Sequence, residues 1–164
     1  MILGLIQNIA LLIMLSSVLQ LVIRRWRTDS VARQVLVGAL YGAVTIVGML
    51  TPFRLAPGIF FDGRSIILTA AGLFGGPITA LVAALVAAAY RISLGGMGVT
   101  MGVLVGTSSA LVGTIFYYLR RRHPAAVRLP GLLVIGVVVH AIMLALTLAL
   151  PQASAPAVRT QIWL

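Results

Sequence analysis

A chain of 164 residues that is 61% hydrophobic and 9% charged, with mean hydropathy +1.15, is an integral membrane protein with little or no soluble domain. Its +10 charge is all arginine, 12 of them against Asp29 and Asp62, placed in loops between apolar runs. That placement serves lipid headgroups and orientation rather than nucleic acid. The absence of cysteine and glutamate, with only two histidines, gives poor material for a thiolate, a metal centre or a paired-carboxylate site. No cofactor and no enzyme are therefore expected within the chain.

Residues 1–23 are apolar apart from a few polar positions and are followed by Arg24-Arg25-Trp26-Arg27. A secretory leader carries its charge before the apolar run, so this stretch reads as a first membrane helix with its N-terminus outside. Asn8 within it suits a hydrogen bond between helices. A second span covers 34–50 and stops at Thr51-Pro52. The connection 52–63 holds Pro52, Pro57, Gly58 and Gly63, with Phe53, Phe60 and Phe61 suited to a membrane interface.

Two apolar segments follow, 64–74 and 77–91, joined at Gly75-Gly76-Pro77. At 1.5 Å per residue they reach about 16 and 22 Å, short of the roughly 30 Å hydrocarbon core. They must be broken, tilted or buried among longer helices. The join reads as a turn with Pro77 opening the next helix, and no lysine or hydroxyl residue stands at phosphate-loop spacing. Gly95 and Gly96 form a second turn. A fifth segment, 98–119, ends in Arg120-Arg121-Arg122-His123-Pro124, and a sixth, 132–150, stops at Pro151. The tail turns apolar again at Ile162-Trp163-Leu164, as if to continue into a further helix. The expectation is an all-α polytopic bundle of about six segments with a short broken hairpin, 1–164 being one domain and part of a longer receptor.

If the segments alternate, Arg24, Arg25, Arg27, Arg33, Arg120, Arg121, Arg122 and Arg128 share one side, which the positive-inside rule makes cytoplasmic. Arg54, Arg64, Arg91 and Arg159 then lie outside, against the rule. Arg64 and Arg91 are the informative pair, because a membrane hairpin returns both of its ends to one face. The bland reading is two arginines snorkelling from helix ends. The sharper one is a shared anion site, since two planar guanidinium forks suit a carboxylate and ionisable groups at such depth are costly. Asp62 suits either the N-cap of the helix beginning near Arg64 or a partner for one of the arginines.

Small residues recur every four positions at Gly98, Gly102, Gly106, Ala110 and Thr114, at Ala80, Ala84 and Ala88, and at Gly38 and Gly42. Such stripes let membrane helices approach closely. In a second reading Gly102 and Gly106 leave space for a ligand beneath the arginines, with hydroxyls from Thr100, Thr107 and Ser108. His140 reads as a neutral histidine bonded to a neighbouring helix, and His123 as part of the interfacial flank.

Asp62-Gly63-Arg64, Gly75-Gly76-Pro77, Tyr90-Arg91 and Gly95-Gly96, in that order, resemble the transmembrane region of LytS-type five-transmembrane receptors. The resemblance is dense over 62–96 and looser beyond. It implies a bacterial inner-membrane sensor module that relays to a cytoplasmic histidine kinase or diguanylate cyclase domain. It also implies a homodimer, because such outputs work in pairs. The family motif carries Asn where this chain has Asp62, and an acid there opposes an anion. The expected ligand-binding set is Arg64, Arg91, Asp62, Thr100 and Gly102, with Gly75, Gly76, Pro77, Gly95 and Gly96 as structural turns, a small anionic ligand and membrane lipids as partners, and no metal or nucleic acid. The alternative function is the solute-binding membrane subunit of a vitamin-type transporter.

Overall fold

The computed structural model of the protein describes residues 30–50, 53–56, 59–61, 63–95 and 99–149. The first expected helix, 1–23, the tail beyond 149, Asp62 and Gly96 lie outside the described residues. Helix α1 is Val31–Leu50. Strands β1, Phe53–Ala56, and β2, Ile59–Phe61, follow. Helix α2, Arg64–Ala70, continues into a π-helical turn, Ala71–Gly75. Helices α3, Pro77–Leu94, α4, Val99–Arg122, and α5, Leu129–Ala149, complete the bundle. Helices α1, α3, α4 and α5 are each long and apolar enough to cross a membrane, whereas Arg64–Gly75 is not. The all-α polytopic bundle with a short broken hairpin is thus what the described residues form.

Several boundaries differ from expectation, α4 ending at Arg122 instead of 119 and α5 beginning at Leu129 instead of 132. Helix α1 begins three residues earlier than 34, because the Ser30 hydroxyl accepts the Arg33 amide N–H at 3.2 Å and caps the first turn. Helix α3 runs on to Leu94, since the long stem of Arg91 lies within the helix instead of ending it. That extension brings the second arm of the hairpin to spanning length. The connection between α1 and α2 pairs as an antiparallel ribbon, Phe53 opposite Phe61 and Arg54 opposite Phe60.

The short segment survives at membrane depth because one face of it is enclosed. Ile67, Leu68, Thr69, Ala71 and Leu73 are all buried. Gly72 of the π turn and Gly113 of α4 meet backbone to backbone: a Cβ at Gly72 would lie 2.6 Å from the Thr114 amide nitrogen. On the far side, Gly38 and Gly42 of α1 accept Val82 and Val86 of α3, and a Cβ at either glycine would come within 2.7 Å of the facing valine Cβ. Gly38 and Gly42 pack helices, as the stripe reading expected. Hydroxyls in this apolar interior are satisfied locally: Thr45 donates to the Tyr41 carbonyl at 2.8 Å and Thr69 to the Ser65 carbonyl at 2.7 Å. Thr79 reaches across to the Gln34 carbonyl at 3.1 Å, tying the start of α3 to the start of α1.

The turn at Gly75-Gly76-Pro77 forms as expected. Gly76 has φ +86° and ψ −174°, a region open essentially to glycine alone, and Pro77 opens α3. Thr79 occupies the space that a Cβ at Gly75 would need. Gly76→Ala meets both the positive φ and the Tyr117 ring, whose Cζ would stand 3.1 Å from the new Cβ. It is expected to cost about 1–3 kcal/mol in thermal unfolding of the purified protein. An unchanged melting temperature would contradict this conformation.

Helix α1 and helix α3 therefore start at the turn end, and α4 returns to it. That end gathers Arg33, Gly76, Tyr117, Arg120, Arg121, Arg122 and Arg128. Arg64 and Arg91 belong to the opposite end, with the ribbon between α1 and α2. The division of arginines expected from alternating segments is the division observed among the described residues.

Candidate functional site

Arg64 opens α2 and Arg91 lies in the last turn of α3. One turn after Arg64 comes Leu68, and one turn before Arg91 comes Ala87; both line a single small cavity together with Gly102 and Gly106 of α4. Residues four apart share a helix face, so both arginine stems leave from the rim of that cavity. Both residues are half-buried, and the Arg64 Nε is wholly buried. Arg91 sits where a helix dipole favours a cation, while Arg64 sits at a helix start, where it does not, with no acidic residue in that turn. Asp29 and Asp62, the acidic residues of the chain, lie outside the described residues.

Gly102 carries the most pointed geometry. A Cβ there would stand 2.8 Å from Arg91 Nε and 3.1 Å from its Cγ and Cδ, so the arginine stem lies flat across the glycine. Gly106 is covered in turn by Leu68, whose Cδ1 would be 3.2 Å from a Cβ. The ligand space expected beneath the arginines is therefore filled by side chains of the protein. What remains is about 10 Å³, close to the volume that admits one water.

Arg91 lies on Gly102, Leu68 one turn after Arg64 lines the same cavity as Gly102, and Thr100 stands apart. Thr100 is exposed, and two residues from Gly102 it stands about 200° around the helix from the arginine pair. Thr107 donates to the Val103 carbonyl at 2.8 Å and Ser108 to the Val105 carbonyl at 3.0 Å, so these hydroxyls are committed to their own helix. The N-cap of α2 falls on Gly63 and carries no side-chain capping bond, which corrects the expectation of Asp62 at that position. Gly95, at φ +65°, ends α3 with its N–H donated to the Ile92 carbonyl at 3.0 Å. His140 Nδ1 lies 2.8 Å from the Gly136 carbonyl one turn back in its own helix.

Sequence reasoning missed the lock at the opposite end. The Tyr117 ring covers Gly76, and its hydroxyl accepts from the Arg121 guanidinium at 2.7 Å. The guanidinium carbons of Arg120 and Arg121 lie 5.0 and 4.7 Å from the ring centroid, within cation–π range. The signal was available as an aromatic followed by arginines three and four residues on.

The described residues hold no cluster of histidine and carboxylate able to bind a metal ion. No curated protein and no solved structure matches the chain. The model of the family described as 5TMR of 5TMR-LYT matches residues 17–164. With Gly-Gly-Pro at the hairpin turn and an arginine on each arm at the other end, the chain belongs to the family of five-transmembrane receptor domains of LytS-type sensors, multi-pass membrane proteins.

Proposed function

We propose that this receptor domain senses a small anion, of the carboxylate class, at the end of the bundle that holds Arg64 and Arg91. The observation that carries the reading is the stem of Arg91 lying across Gly102. An anion that draws the guanidinium toward Arg64 lifts the stem from Gly102 and alters the α3–α4 contact. A ligand shifts a conformational equilibrium only by its difference in affinity for the two states, and this seat supplies such a difference. The arginine-rich end, with Arg33, Arg120, Arg121, Arg122 and Arg128, faces the cytoplasm by the positive-inside rule, so the sensing end is extracytoplasmic. The output is a cytoplasmic kinase or cyclase domain acting as a dimer, in a bacterial inner membrane.

The test is thermal unfolding of the purified protein against small carboxylates, phosphates and inorganic cations, beside the Arg64→Ala, Arg91→Ala double variant. Ligand at a hundred times its dissociation constant adds about 2.7 kcal/mol. A shift confined to one anion class and lost in the double variant is the expected result. Equal shifts in both proteins, or none with any anion, would overturn the assignment.

A further inference from the structure

On the side of the bundle away from the α1–α3 contact, α2 and α5 do not close on one another. They leave a groove of about 210 Å³ whose walls are almost wholly apolar. Ile66, Ala70 and Phe74 line it from α2 and its π turn; Leu132, Gly136 and His140 line it from α5. Leu73, Ile135 and Val139 pack with Val112 of α4 beneath it. The one hydroxyl in the wall, Thr69, is spent on the Ser65 and Ser109 carbonyls. From Leu132 to His140 the groove follows α5 for about 12 Å, most of the roughly 15 Å depth of one leaflet's acyl layer.

Gly136 marks the groove as space kept open. Other helix-interior glycines of the bundle, such as Gly38, Gly42, Gly72 and Gly113, are explained by an atom of another helix in the place of a side chain. Among the described residues, a Cβ at Gly136 would meet nothing within 4 Å. Glycine in a helix interior is unfavourable by itself, and here no atom of the described residues accounts for it.

Cations stand at the turn end of the groove. Arg120 of α4 stacks over Phe74, its guanidinium carbon 6.0 Å from the ring centroid, and Arg128, the residue before α5, lies one turn before Leu132. An apolar slot one leaflet deep with arginines at its interfacial mouth matches an anionic phospholipid: acyl chain along Gly136, phosphate at Arg120 and Arg128. We infer that the α2–α5 groove is a binding site for one anionic phospholipid of the leaflet at the arginine-rich end.

The test uses the full chain in detergent micelles doped with phosphatidylglycerol or phosphatidylcholine, with bound lipid counted by native mass spectrometry. The wild type is expected to hold one phosphatidylglycerol at least tenfold more tightly than phosphatidylcholine. Gly136→Leu, which fills the groove without meeting a neighbour, is expected to lose that lipid while unfolding in lipid-free micelles no earlier than the wild type. Arg120→Gln with Arg128→Gln is expected to abolish the preference for phosphatidylglycerol and to leave phosphatidylcholine binding unchanged. Retention of the tight lipid by Gly136→Leu would overturn the site, and equal binding of the two lipids by the wild type would overturn its anionic specificity. Because the chain has no cysteine, Gly136→Cys is a single-cysteine reporter. A disulfide-linked dimer through it in native membranes would place a second copy in the groove and overturn the lipid.

Discussion

Gly113→Ala is expected to destabilise the bundle by about 3 kcal/mol, the upper end of what overpacking a core costs. The new methyl would run into the Thr69 carbonyl oxygen and stand 3.1 Å from the Cα of Gly72. Both obstacles are backbone, on the buried face of the short segment, so neither can turn aside as a side chain does. Gly72→Ala should cost a similar amount, since its methyl would lie 2.7 Å from the Ala110 carbonyl oxygen. The double variant should cost less than the sum, because the first methyl already forces the two helices apart and makes room for the second. Unfolding of the purified protein in a denaturing-detergent titration measures all three. Wild-type stability of Gly113→Ala would mean that α2 and α4 do not touch as described.

Gly102→Ala should do the opposite: leave the fold nearly intact and damage sensing. Its methyl would collide only with the stem of Arg91, at 2.8–3.1 Å, and a flexible stem can leave. The expected stability change is within about 1 kcal/mol. The anion response should weaken at least tenfold, about 1.4 kcal/mol, because the guanidinium loses the geometry that Gly102 allows. Arg91→Ala should abolish the response, and Arg91→Lys should not restore it, since an ammonium lacks the planar fork that grips a carboxylate at two points. The readout is the anion concentration needed for half of the thermal shift. A wild-type dose–response for Gly102→Ala would remove the seat from the mechanism.

These two glycines show where a sequence speaks and where it is mute. The broken hairpin was legible because Gly-Gly-Pro admits little but a turn, and because residues 64–74 are too short to cross alone. That Arg64 and Arg91 share one end of the bundle followed from that turn by length. What each small residue meets was not legible. Gly102 fell on a four-residue stripe that read first as packing and second as room for a ligand, yet that room holds Arg91; Gly113 fell off the stripe and is the tightest crossing of the short segment. A stripe gives the face of a helix but not the partner, which depends on the rotation of the neighbouring element. The π turn resets that rotation for residues 71–75, and nothing in Ala-Gly-Leu-Phe-Gly announces an extra residue in the turn. The ribbon at 53–61 was hidden because its aromatics suit a membrane interface as well as a strand.

The Gly72–Gly113 contact also makes α4 a lever. Eleven residues separate it from Gly102 and seven from Arg120, arms of about 16 and 10 Å along the helix. A rigid α4 pivoting on that fulcrum would carry each ångström of displacement at the Arg91 end to the opposite end as about 0.6 Å in the reverse direction. There Tyr117 is clamped on the hairpin tip at Gly76, so the tip is carried with it.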